Sequence, residues 1–233
     1  MNMTPATDPT GTSWVLLTLF AIFFLACIRV KSNTKFASAM IRDIFGVRER
    51  NNLFDVTARE TSFLILVIIL SVCSFGVLLY TGVTLYRPLF TQSLPLPGLP
   101  IHFEGIFAPV AICMGITTLY VCVMWMCYFL VGHVFSDATH TKMWLRGYTS
   151  SIAFGGLFFF PLALLDLSYP QYTSEITLIG LIVLILVKFL FIVKGFRIFF
   201  TESSSWVVFL YYLCSLEIIP LTITFGVACS LLG

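Results

Sequence analysis

The sequence predicts an all-α, polytopic helical membrane protein: about six transmembrane helices plus an amphipathic helix on the cytoplasmic face. Composition is the first reason. Of 233 residues, 59% are hydrophobic and 10% are charged, whereas a soluble domain carries about 25% charged residues. Most of the surface must therefore meet lipid rather than water. The second reason is pattern. The apolar runs are long and continuous instead of alternating, which selects helices over a barrel, because backbone N–H and C=O groups in lipid must be satisfied within the chain. A net charge of +2 is too small to imply a nucleic-acid partner. The bilayer is the partner that the composition requires.

The predicted spans are 14–28, 61–86, 107–131, 148–167, 176–193 and 206–232, forming a single integral-membrane domain over 1–233. Crossing the hydrocarbon core takes about 20 residues, so the first span is expected to borrow a turn from its flanks. Orientation follows from the basic residues. Arg29, Lys31, Lys35, Arg42, Arg48, Arg50 and Arg59 fall between the first two spans, Lys142 and Arg146 between the third and fourth, and Lys194 and Arg197 between the fifth and sixth. The opposite side has only Arg87, and the N-terminal tail has no Lys or Arg. The positive-inside rule then places those three connections in the cytoplasm and both termini on the non-cytoplasmic side. The first span does not read as a cleavable signal peptide, because its basic residues follow the apolar stretch instead of preceding it.

Two connecting segments have character of their own. Residues 35–50 set Phe36, Met40, Ile44 and Val47 on one helical face, with Lys35, Arg42 and Arg50 largely off it. This predicts a helix lying on the cytoplasmic leaflet, where basic side chains meet anionic lipid. Lys35, Arg42, Arg48 and Arg50 are thus candidates for an interface with lipid or with a partner. The segment 87–102 contains Leu94, Pro95, Leu96, Pro97, Gly98, Leu99 and Pro100, which excludes helix and leaves an extended outer loop that caps the bundle. Trp14, Tyr86, Trp144, Tyr148, Tyr169 and Trp206 fall near span ends, as in an interfacial aromatic belt. Ser151, Gly155 and Gly156 predict a close helix contact in the fourth span. The seven cysteines all lie in apolar runs without a Cys-x-x-Cys pair, and read as small buried side chains.

Glu217 is the sharpest candidate. Counted from Ser205 it lies roughly 18 Å into the last span, near the middle of a core about 30 Å thick. A charge there costs about 2.5–3.5 kcal/mol on insertion scales, which favours the neutral form and demands a hydrogen-bond partner. Pro220 follows three residues later, removes a donor from the carbonyl of Leu216 and tends to kink the helix. Lys188, about 10 Å from the cytoplasmic end of the fifth span, is expected to snorkel outward. A tight hairpin of the fifth and sixth spans would bring it toward Glu217, but a depth mismatch of roughly 8 Å argues against pairing. Asp166 opens the run Asp166-Leu167-Ser168-Tyr169-Pro170 and is expected to cap the helix or face water. His102, His133 and His140 fall in predicted connections, so a haem between helices is rejected. His133, Asp137 and His140 are a weak metal signal that reads as solvated polar residues. No metal site or cofactor is assigned. The sequence lacks a Gly-x-Ser-x-Gly elbow, a His-Glu-x-x-His pair and a Walker-type loop.

The C-terminal run Leu210-Tyr211-Tyr212-Leu213-Cys214-Ser215-Leu216-Glu217-Ile218-Ile219-Pro220-Leu221 resembles the end of an integral-membrane family of Bacteroidota, the domain of unknown function numbered 4271. Trp14, Arg29 and the run Arg50-Asn51-Asn52-Leu53-Phe54 match as well, so the resemblance covers nearly the whole chain. It implies an inner-membrane protein and places Glu217 and Pro220 in the family's most recognisable motif. It implies no activity, substrate or cofactor.

Three functions remain in view. The leading expectation is a non-enzymatic scaffold or accessory subunit of an envelope system, with a membrane-protein partner or a second copy of the chain as its contact. The alternative is a small proton-coupled transporter or channel using Glu217, which needs a polar cavity at mid-membrane. A third, an enzyme on lipid-linked substrates, would gather Lys142, Arg146, Lys194 and Arg197 around a lipid phosphate, but no nucleophile accompanies them.

Overall fold

A computed structural model describes residues 9–32, 58–93, 106–135, 138–199 and 206–231. Among them are six α-helices and one short 3-10 turn, with no strand. The helices are α1 (Pro9–Ser32), α2 (Ala58–Ser93), α3 (Phe107–Phe135), α4 (Ala138–Ser168), α5 (Thr173–Phe199) and α6 (Trp206–Leu231), and the 3-10 turn Pro170–Tyr172 joins α4 to α5. Among the described residues four stretches are long and apolar enough to cross a membrane: Phe63–Tyr86, Ala108–His133, His140–Ser168 and Pro170–Gly195. The described parts of α1 and α6 contain the shorter apolar stretches Thr12–Ile28 and Leu216–Ser230. Residues 35–50, with Lys35, Arg42, Arg48 and Arg50, and the Leu-Pro segment 94–100 lie outside the described residues.

The helices outrun the apolar stretches that predict them. α4 starts ten residues before Tyr148, so Lys142 and Arg146 lie on a helix instead of in a loop, as do Lys194 on α5 and His133 and His140 on α3 and α4. Backbone hydrogen bonding does not stop where hydrophobicity does; a helix continues until its caps or a breaker end it.

Burial ranks the helices. Half of the α2 and α4 spans is buried, against 17% of α5, so α2 and α4 form the centre and α5 faces outward along most of its length. The α2–α4 contact is the most extensive in the bundle. Gly156 explains its closeness: a Cβ there would come within 2.9 Å of the Ser71 Cα. Without a hydrophobic force between helices in lipid, such backbone approach is what yields packing energy. The same holds for α2 against α3, where a Cβ on Gly76 would meet the Met114 Cα at 2.9 Å.

Three side-chain cores fill the bundle. Leu70, Val77, Phe159, Phe160 and Ala163 join α2 to α4, and α1 enters this cluster through Leu19 and through Phe23 stacked on Phe160 at 4.2 Å. An aromatic cluster of Tyr120, Tyr128, Trp144, Tyr148 and Phe191 joins α3, α4 and α5. Leu79, Val83, Cys113, Ala228 and Cys229 seat α6 on α2 and α3. The outward faces are apolar too, with Leu178, Leu181, Ile185 and Phe189 on α5 and Ile218, Ile219 and Ile223 on α6 all exposed.

Three expectations fail here. Among the described residues α6 packs chiefly on α3 and α2, and the tight hairpin with α5 is not seen. Trp144 and Tyr148 do not belong to an interfacial belt; they are 2% and 3% exposed, because their helix extends further than its apolar run and turns them inward. Cys27 and Cys122 are exposed on the apolar outer faces instead of buried.

Candidate functional site

α3 carries Tyr120, Met124 and Tyr128 at four-residue intervals, which puts all three on one helical face. That face is buried against α4 and α5. Tyr128 has no exposed surface, and its ring lies 5.0 Å from Trp144, 4.8 Å from Tyr148 and 5.0 Å from Phe191 between centroids. A phenol enclosed so completely must place its hydroxyl on a partner. The partner is Glu217: the Tyr128 hydroxyl donates to its Oε1.

The other carboxylate oxygen, Oε2, accepts from the Lys188 ammonium in an ion pair whose side chains are 19% and 8% exposed. Lys188 therefore does not snorkel. Its flexible stem turns inward across the depth mismatch and brings the ammonium onto the buried carboxylate. The ammonium also lies 5.4 Å from the Tyr120 ring centroid and 5.9 Å from that of Tyr148, within range of both π faces. Glu217 thus finds its partners on neighbouring helices, as the depth argument requires, but one of them is a cation. The network ties α3, α5 and α6 together at mid-bundle.

Pro220 stands one turn beyond Glu217 inside α6 and is half-buried. The helix around it recruits hydroxyls. Thr224 donates to the Pro220 carbonyl at 2.6 Å, and Thr222 to the carbonyls of Ile218 at 3.1 Å and Ile219 at 2.8 Å. None of these acceptors is the Leu216 carbonyl that Pro220 leaves without its donor; hydroxyl back-bonding of this kind tends to bend a helix.

A cavity of about 60 Å³ opens between α2, α3, α4 and α5 beside Lys188, with Ser71, Thr117, Tyr120, Tyr148 and Ser151 among its lining residues. Apolar atoms dominate its wall, and apolar cavities of this kind tend to stay dry. The polar mid-membrane cavity that ion transport through Glu217 needs is not formed by it.

Asp166 departs most from expectation. Placed to cap a helix or face water, it is instead 2% exposed, because α2 and the start of α5 close over the last turn of α4. His133 and His140 are exposed on their helices, and Asp137 lies outside the described residues. Among the described residues no group of three His, Cys, Asp or Glu side chains is placed to hold a metal ion.

Sequence reasoning missed Tyr120 and Tyr128. Their signal was present: hydroxyl-bearing aromatics spaced along one face in the middle of a span, where a phenol must find a partner.

An all-helical bundle with, among the described residues, four helices able to cross a membrane and a Lys188–Glu217 pair buried between helices is a polytopic α-helical membrane protein. The chain belongs to the family described as Domain of unknown function (DUF4271), which it matches over residues 15–228. That span includes Tyr128, Lys188 and Glu217. No curated protein and no solved structure matches the chain.

Proposed function

We propose that this protein is a non-enzymatic scaffold or accessory subunit of a bacterial envelope system. It resides in the cytoplasmic membrane of a Bacteroidota cell, crosses it six times and keeps both termini in the periplasm. One observation carries the reading: both Glu217 oxygens are engaged, one by Tyr128 and one by Lys188. A carboxylate so fully committed locks helices together; it is not poised to accept a passing ion. By fixing α6, the lock sets the outward face of Ile218, Ile219, Ile223 and Val227 for contact with another membrane protein. The basic first connection and the Leu-Pro segment supply the contacts on either side of the membrane.

The alternative is proton-coupled transport. It draws support from the direct linkage of three titratable side chains, Tyr128, Glu217 and Lys188, near mid-bundle.

Complementation separates the two. Cells depleted of the protein receive Glu217→Gln or Glu217→Ala, with membrane abundance checked by blot. A neutral amide keeps hydrogen bonds but cannot carry a proton. Under the structural reading Gln supports growth and Ala does not. If Gln fails at normal abundance, the ionisable carboxylate itself is needed and transport becomes the function. Crosslinking in native membranes should also capture a recurring partner; repeated recovery of the protein alone would overturn the scaffold reading.

A further inference from the structure

The cavity beside Lys188 is cut into four helices at one depth. Ser71 and Phe75 of α2, Thr117 and Tyr120 of α3, Ser151 of α4 and Val187 of α5 belong to its wall, and each lies near the middle of a stretch able to cross a membrane. Its hydroxyls are turned away from it. Thr117 donates to the Cys113 carbonyl at 2.8 Å, Ser151 to that of Gly147 at 2.9 Å and Tyr148 to that of Val121 at 3.4 Å. The Tyr120 hydroxyl is enclosed, with almost no exposed surface, so Tyr120 presents its ring. Lys188 has its ammonium on Glu217, which leaves its hydrocarbon stem to the wall. What faces the space is hydrocarbon.

The cavity opens sideways. Among the described residues α3 and α5 share little direct packing, and the wall residues on either side of that gap, Val121, Leu184 and Val187, are half-buried. Next to them in the chain Cys122, Ile185 and Leu186 are exposed, so the space is continuous with the apolar surface that meets lipid. At mid-membrane that lipid presents acyl-chain ends, because the two leaflets meet at the centre of a core about 30 Å thick. Size agrees. A cavity of about 150 Å³ holds the six carbons of benzene, so about 60 Å³ takes roughly two or three carbons. That is a terminal methyl with its last methylenes, and it excludes a ring or a headgroup. A void there would forfeit the dispersion contacts of its lining, and such packing is what holds helices together in lipid.

We infer that the cavity is a binding site for the methyl end of a phospholipid acyl chain, which enters between α3 and α5 and lies beside the Lys188–Glu217 pair. The chain end closes the lateral path to that pair and keeps water from it. The site does not depend on the scaffold role proposed above.

The test uses the full-length protein in phosphatidylcholine nanodiscs. They carry a trace of phosphatidylcholine with a diazirine either at the end of one acyl chain or close to its carbonyl. After photolysis, adducts are mapped by peptide mass spectrometry. The chain-end probe should label the cavity floor at Ser71, Ser151 and Phe159, which are buried and out of reach of lipid that stays on the outer surface. The carbonyl-end probe should not. Val187→Phe, which fills the mouth from α5, should remove the floor adducts and leave those on the exposed Ile185 and Phe189 unchanged. Adducts confined to exposed residues overturn the site. So do floor adducts that arise equally from both probes, or that persist in the variant. Should Val187→Phe fail to fold, Val187→Ile, larger by one methylene, decides by the same loss of floor labelling.

Discussion

Glu217 and Asp166 are both carboxylates buried in an apolar bundle, and the protein treats them in opposite ways. Glu217 has a cation from its own chain, a phenol hydroxyl on its second oxygen and aromatic rings around the cation. Among the described residues Asp166 has no cation beside it, and neither of its oxygens has a hydrogen-bond partner. The first site is complete as it stands, and its members come from α3, α5 and α6, helices that otherwise share little packing between α5 and α6. The contrast separates two conditions of a buried carboxylate: a paired one fixes helices to each other, and an unpaired one is a cost that the surrounding packing has to offset.

The comparison is most easily broken at Glu217. Glu217→Ala leaves Lys188 and Tyr128 buried without their acceptor, and removing one partner of a buried pair costs about 3–5 kcal/mol. Equilibrium unfolding in mixed micelles should register a loss of that size. The same change in a Lys188→Met background should cost far less, because no orphaned charge remains, and the cycle of four proteins isolates the coupling. A near-zero coupling would show that the pair contributes nothing to stability. Tyr128→Phe comes next. It removes one hydrogen bond to a charged acceptor, worth about 1.5–3 kcal/mol, and leaves the ring packing against Trp144, Tyr148 and Phe191 intact. Retained near-UV circular dichroism with a lowered unfolding midpoint is the expected outcome; a collapsed aromatic signal would assign the stability to ring packing instead.

How far each site was legible depends on its neighbours in sequence and in space. The membrane class and the helical pattern follow from local hydropathy, and the depth of Glu217 follows from counting along one helix. The small residues around Gly156 announce a close helix contact by themselves. What local reading cannot supply is which helices become neighbours. Lys188 was assigned to the interface because its stem is long enough to reach it, and only the arrangement of α5 relative to α6 reveals a nearer partner. Trp144 and Tyr148 look interfacial when span ends are judged by hydropathy, yet α4 continues past that boundary and packs them inside. Asp166 was the hardest. An Asp before a Tyr-Pro turn has every local mark of a solvated exit, and its burial depends on Thr81 of α2 and Thr173 of α5 meeting over it.

The smallest expected effect is also the one that separates the two carboxylates most cleanly. Asp166→Leu removes a group that has no hydrogen-bond partner and replaces it with apolar volume. Exchanging buried charge for packed hydrocarbon is often neutral or stabilising, so the expected change is a gain between zero and about 1 kcal/mol, the bulkier methyl groups in place of the carboxylate oxygens limiting it through local crowding. Glu217→Leu under the same conditions should lose stability, because it strands the Lys188 ammonium. Opposite signs for one substitution at two buried carboxylates would establish that pairing, and not burial, decides what each contributes. A loss at Asp166 comparable with that at Glu217 would mean that Asp166 is already satisfied within the protein, and the two sites would then be alike.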